Sequence, residues 1–395
     1  MSADETILRV AAKGDGVTAS GRHVAFTAPG DVIRADGSIV PGPSHATPPC
    51  RHFGKCGACE LQQLDEPSLA GFVYERVVNA ASGQGLELEL VAPAYLSPQR
   101  SRRRATLHAD RGGIGFRAGG SHKIVDMREC HVLHPDLFAL VAPLRTLIAK
   151  WPGKRPAADV HLALADQGVS VELKGLELGG LAQTEGLLEF ARTHRLARLS
   201  LDQGYGPEMQ WEPEPVTVTL SGVPVSLPPA GFMQATADGE AALVGAVREW
   251  LGGSATVADL FAGLGTFAFA LAGPGKVLAV EAAQDAHLAC KAAAGRSGKP
   301  VHSLHRDLYR NPLRVEELDR FAAVVLDPPR AGARDQVEQL AASQVARVAY
   351  ISCNPSSWAK DAATLVAGGY RLAELRPVGQ FRWSTHVELA SLFIR

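Results

Sequence analysis

From residue 226 onward, short apolar runs alternate with Ala/Leu-rich helical patterns: Thr256 to Phe261, Val277 to Val280, Ala322 to Leu326 and Val345 to Ile351. Runs this short and this apolar suit strands covered on both faces, and such strands between helices belong to a parallel sheet. The rhythm therefore predicts βαβ units and an α/β fold with a doubly wound sheet. A sheet of this kind gathers its ligands at the carboxyl ends of its strands, so the residues just after each run carry the chemistry.

The loop after the first run, Asp259-Leu260-Phe261-Ala262-Gly263-Leu264-Gly265-Thr266-Phe267, opens a helical pattern. Its glycines let backbone approach a bound ligand. Gly263-x-Gly265-x-x-Ala268 also fits a relaxed dinucleotide fingerprint, which keeps a NAD-linked dehydrogenase in view. Asp259 favours S-adenosylmethionine, whose ammonium takes acceptors, and Glu281 at the end of the second strand can accept from ribose hydroxyls. Asp327-Pro328-Pro329-Arg330-Ala331-Gly332 follows the fourth strand as a rigid turn whose prolines offer a surface for a planar base.

Tyr350-Ile351-Ser352-Cys353-Asn354-Pro355 places a thiol between the fifth strand and a helix capped by Asn354 and closing near Gly368-Gly369. The positive end of that helix is expected to lower the Cys353 pKa and make it a nucleophile; the competing reading is a buried, inert cysteine. Near the end, Ser384 to Leu392 reads as a terminal strand carrying Glu388 among apolar neighbours, where burial would raise its pKa and suit it to proton transfer.

At 395 residues the chain exceeds one ordinary core, and three zones are expected: 1–42, 43–225 and 226–395. The first alternates short β-like runs with Gly and Pro, as a small β-barrel fragment does; the second holds a helix over 66–82, further strands and most of the cysteines. A net charge of -1 excludes a globally basic nucleic-acid binder, so any such contact needs a local patch. Arg100, Arg102, Arg103 and Arg104, followed by Arg111, Arg117 and Lys123, form one, and Phe381 and Trp383 can stack on a base or pack the last strand. No apolar run reaches membrane length and the first residues lack a secretory pattern, so a cytoplasmic monomer is expected. Cys50-x5-Cys56-x2-Cys59, with Cys130 far downstream, reads as a metal site; from spacing alone zinc, with His52 or Cys130 as fourth ligand, is as good a reading as iron and sulfur.

DLFAGLGTF, DPPRAG, YISCNP and HVELASL, in this order and spacing, resemble the RNA 5-methyluridine methyltransferases, which transfer a methyl group from S-adenosylmethionine to uracil C5. The resemblance spans nearly the whole chain and is strongest to the 23S ribosomal RNA enzymes. It implies a Rossmann-like class I methyltransferase domain over 226–395, a central α+β domain with an iron-sulfur site over 43–225, and a shortened TRAM-like β-barrel over 1–42. It implies Cys353 as the nucleophile that adds to uracil C6 and Glu388 as the base that removes the C5 proton. It implies Gln234, Phe261, Gly263, Glu281, Asp307 and Asp327 around the cofactor, a 4Fe-4S cluster on Cys50, Cys56, Cys59 and Cys130 of structural or RNA-positioning use, and RNA as partner, ribosomal before transfer RNA. Thr236 stands where the family commonly has Asn.

The rival classes explain fewer of these residues. Cytosine-C5 methylation would place a cysteine in the loop after the fourth strand, where DPPRAG has none, and amine methylation needs no thiol. A non-catalytic iron-sulfur or zinc RNA-binding protein, or a dehydrogenase, gives no reason for Cys353 and Glu388 to accompany the glycine loop.

Overall fold

A computed structural model describes residues 4–153, 156–273 and 275–395. Its largest sheet has eight strands in the spatial order Val301–His305, Lys276–Glu281, Thr256–Leu260, Ala323–Leu326, Arg347–Ser352, Glu388–Ile394, Arg371–Gly379, Tyr95–Leu96. The first five are parallel. The chain leaves the central strand Thr256–Leu260 to one side and returns to Ala323–Leu326 on the other, so the loops after these two strands part and open a crevice.

Strand alternation sorts the core. Ala258, Leu260, Val324, Leu326, Val348 and Tyr350 enter one apolar cluster, while Val257, Val325, Ala349 and Ile351 enter the other. Helices cover both faces, which makes the sheet doubly wound. The helix Glu66–Ser82, started by Asp65 accepting from Ser68 N–H, packs Leu69, Phe72, Val73 and Val77 into the first cluster beside Trp358 and Ala362. With Tyr95–Leu96 added to the sheet edge, the segment that follows the first three cysteines is built into this layer.

Two findings differ from the sequence reading. The sheet is not wholly parallel, because Glu388–Ile394 runs antiparallel to both neighbours. The terminal strand also begins at Glu388 rather than Ser384. Trp383 adopts φ +61, a left-handed conformation that ends extended pairing, and its carbonyl accepts from Glu60 and Leu61 N–H. Trp383 is buried and packs; Phe381 faces a cavity.

A six-stranded sheet spans residues 104–211, and a five-stranded antiparallel half-barrel spans residues 5–40. Fully buried Asp31 closes the latter, accepting from Ala28 N–H and Gly42 N–H, both at 2.8 Å, and from His45 Nδ1 at 2.7 Å. Among the described residues no helix is long and apolar enough to cross a membrane.

Candidate active site

A cavity of about 600 Å³ opens at the carboxyl edge of the parallel strands, and Gln234, Phe261, Gly263, Glu281, Asp307, Asp327, Cys353 and Glu388 all line it. The sheet explains the convergence, since most of these follow a strand directly. Glu281 holds the glycine loop against its own strand, Oε2 accepting from Gly263 N–H at 2.8 Å and Oε1 from Ala283 N–H at 2.7 Å. Gly263 sits at φ +55 on the cavity wall. Gly265 serves packing instead: a Cβ there would lie 2.8 Å from the Phe269 ring and 2.9 Å from Cys290 Sγ. Asp307 accepts from Tyr309 N–H at 2.9 Å, and the Tyr309 ring stands 5.4 Å from that of Phe261, giving the cavity an aromatic wall.

Asp259 does not reach the cavity. It is fully buried behind the glycine loop, neither carboxylate oxygen has a hydrogen-bond partner, and burial pushes its pKa up to about 8. The expected contact of Asp259 with a ligand ammonium is therefore replaced by a buried acid under the loop.

A second cavity of about 400 Å³ meets the first at Phe232, Gln234, Arg330, Cys353 and Glu388. Gln234 is held at this junction by Gln380, whose Nε2 donates to Gln234 Oε1 at 2.9 Å, and by Arg103, whose Nε donates to the Gln234 carbonyl at 3.0 Å. Thr236 at the family's Asn position is a helix cap: its hydroxyl accepts from Gly239 N–H at 3.0 Å and contacts Ser97 Oγ at 2.9 Å. The DPPR turn is tied to the cysteine loop by Asn354, which donates from Nδ2 to the Arg330 carbonyl at 2.9 Å and accepts on Oδ1 from Ser356 N–H at 3.2 Å. Asn354→Ala is expected to lower stability by about 1 kcal/mol, measured by denaturant unfolding, since it removes a cap as well as the tie.

The electrostatics of Cys353 reverse the sequence expectation. Asn354 and Pro355 do start the helix Pro355–Ala367, yet the thiol pKa is pushed up to about 11. Burial is the largest cause, followed by the negative charges of Glu388 and Asp327, against the opposing pull of Arg330. Glu388 is buried, which pushes its carboxyl up to about 7 against the opposing pull of Arg104 and Arg330. Asp327 is raised by burial and by the neighbouring carboxylates of Glu388 and Asp259. An acid titrating near neutrality beside a thiol is the pairing that proton transfer and nucleophilic addition require.

The arginine run divides by strand phase. Arg102 and Arg104 line the second cavity, the first with its guanidinium 5.4 Å from the Phe381 ring, the second 4.4 Å from that of Phe232. Arg103 points the other way into an ion pair with Glu240 at 2.6 Å, both side chains nearly buried, and so leaves the expected RNA patch. Arg111 donates to the Gly153 carbonyl. Phe232 and Tyr309 are the wall residues that sequence reasoning did not find; the only signal for either was the nearness of Phe232 to Gln234.

Cys50, Cys56, Cys59 and Cys130 line one small cavity of about 20 Å³. Burial raises all four thiols, Cys56 to about 11. His52, the alternative fourth ligand, accepts on Nε2 from Arg128 N–H at 3.0 Å. Among the described residues no group of three or more His, Cys, Asp or Glu is arranged to hold a metal ion.

Known proteins resemble this chain over most of its length. The family model for tRNA (uracil-5-)-methyltransferases matches residues 305–395. An RNA methyltransferase of Zymomonas mobilis is 46% identical over 98% of this chain and 99% of its own length. The 23S rRNA (uracil(1939)-C(5))-methyltransferase RlmD of Chromohalobacter salexigens is 32% identical over 90% of this chain and 78% of its own. The crystal structure of the Pyrococcus abyssi tRNA (uracil-54, C5)-methyltransferase with S-adenosyl-L-homocysteine superposes with a TM-score of 0.80, covering 99% of both chains at 23% identity, and so shares the fold. With matches of this extent to RNA methyltransferases, and its sheet ending in the family's own motifs, the chain belongs to the S-adenosylmethionine-dependent RNA uracil-5-methyltransferase family.

Proposed function

We propose that this enzyme methylates C5 of a uridine in ribosomal RNA through a covalent adduct between Cys353 and uracil C6. The observation that carries the reading is that Cys353 and Glu388 stand on the wall shared by two cavities. Two substrates meeting at one thiol and one acid need that arrangement: the methyl donor in the larger cavity, against Phe261, Gly263, Glu281, Asp307 and Asp327, and the splayed-out base in the smaller. Uracil C5 is a poor nucleophile until a thiolate adds to C6 and pushes electron density onto it. C5 then takes the methyl group, Glu388 removes the C5 proton, and Cys353 leaves. The ribosomal substrate is supported by the relative named for 23S rRNA.

RNA carrying 5-fluorouridine tests this, because fluorine at C5 leaves Glu388 no proton to remove. With S-adenosylmethionine present, a denaturation-stable protein-RNA adduct mapping to Cys353 is expected on 23S rRNA fragments. No adduct on RNA that the protein binds would overturn the mechanism; adducts on transfer RNA alone would move the substrate.

We infer further that Cys50, Cys56, Cys59 and Cys130 hold a 4Fe-4S cluster. Four thiols lining one cavity, each pushed up by burial, form a donor set that would release its protons on binding metal. A cluster here would join the 50–59 loop to Cys130, and through Glu60 and Leu61 brace the carbonyl of Trp383. Anaerobically purified protein is expected to contain iron and acid-labile sulfide; zinc without iron would reassign the site.

A further inference from the structure

Arg104 begins the strand Arg104–Asp110 and turns its side chain into the smaller cavity, on a wall it shares with Cys353 and Glu388. Its Nε is buried with no hydrogen-bond partner, and among the described residues no carboxylate forms an ion pair with it. Arg103, one position earlier, is paired with Glu240 and with the Gln234 carbonyl. An unpaired guanidinium withdrawn from water is costly, and it is retained where a ligand supplies the acceptor. The Phe232 ring, 4.4 Å from the guanidinium carbon, holds the group in place without neutralising it.

We propose that Arg104 is a catalytic residue whose guanidinium receives the negative charge that develops on the uracil carbonyl oxygen when Cys353 adds to C6. The proposal rests on the covalent reading above. As the Sγ–C6 bond forms, the C5=C6 pair moves into a C4–C5 bond and the carbonyl pair moves onto O4, so the charge leaves sulfur and appears on oxygen. When C5 attacks the donor methyl, the methyl–sulfur bond breaks and the oxygen charge returns to the ring. A fixed cation beside that oxygen stabilises the addition more than the bound base, which is the condition for catalysis rather than binding. The same cation opposes the crowding of negative charge around Cys353 by Glu388 and Asp327, and it remains protonated near neutrality, burial lowering its pKa only to about 10.

A backbone phosphate is the other oxygen that could fill this role, and kinetics separate the two. In Arg104→Met, adduct formation on 5-fluorouridine RNA is expected to slow by about 10²–10³-fold in single turnover, while the RNA Kd and its salt slope stay within twofold. Arg104→Lys keeps the charge but loses the planar fork, so a loss of roughly tenfold is expected; it also carries the test if the Met variant does not fold. S-adenosylmethionine titration by calorimetry reports folding independently of RNA. A weaker RNA Kd with a salt slope shallower by about 1 and an unchanged adduct rate would make Arg104 a phosphate contact and overturn the proposal. Unchanged rate and unchanged Kd would overturn it as well. If wild-type forms no adduct, the covalent reading fails first and this role with it.

Discussion

Cys353→Ala is expected to abolish methyl transfer, with a rate loss on the order of 10⁴ or more, because no neighbouring group can take its place. Cys290 lies behind the glycine loop, its thiol pushed up to about 12 by burial and Asp259, and it lines neither cavity at this edge. The cavity of Cys50, Cys56, Cys59 and Cys130 is a separate one. The check is tritium transfer from labelled S-adenosylmethionine into RNA, run beside calorimetry. Donor affinity should change little, since Phe261, Gly263, Glu281, Asp307 and Asp327 still line the larger cavity. Residual turnover within tenfold of wild type would mean that C5 is activated without a covalent bond. Cys353→Ser separates size from chemistry: the hydroxyl fits the same space, but its far higher pKa leaves almost no nucleophile, so it should be as inactive as Ala.

Which parts of this site could be read from the chain follows from geometry. Gly263, Glu281, Asp327 and Cys353 come at or just after strands of a parallel sheet, where apolar periodicity alone sets which edge a loop lies on. Gln234 came from the family resemblance and Glu388 from its place among apolar neighbours in a terminal strand, and the crevice gathers both with the rest. What stayed hidden depends on elements remote in sequence. The raised pKa of Cys353 comes from burial and from carboxylates on two other segments, whereas the helix end that would lower it is local. Four arginines in five positions looked like one patch, but period-two alternation sends Arg103 to Glu240 and leaves Arg102 and Arg104 at the cavity. Asp259 precedes the glycines, yet the strand's inward phase buries it behind them. The residues Tyr95 and Leu96 carry no strand signal by themselves; their pairing is supplied by the free edge of Arg371–Gly379.

Glu388→Gln is expected to cut turnover by about 10²–10⁴-fold and, unlike Cys353→Ala, to trap the methylated adduct on ordinary RNA. An amide fills the same volume but cannot take the C5 proton, so elimination of Cys353 stalls after the methyl group has moved. A single-turnover reaction quenched in denaturant should show protein-bound RNA carrying label from the methyl donor. The pH dependence follows from the acid's elevated pKa of about 7. The base works as a carboxylate in a step that follows methyl transfer, so wild-type kcat, where that step limits turnover, should rise through pH 7 and fall about tenfold per unit below it. The folded state binds this proton more tightly than the unfolded chain, so its stabilising contribution is complete below the unfolded pKa near 4.5 and is lost as pH rises through about 7. The glutamine variant never carries the buried charge, and above pH 7 it should unfold no more easily than wild type. Low activity with undiminished stability and an accumulated adduct would together place the defect at proton removal. Low activity without an adduct would instead put Glu388 before the carbon-sulfur bond, as the base that deprotonates Cys353.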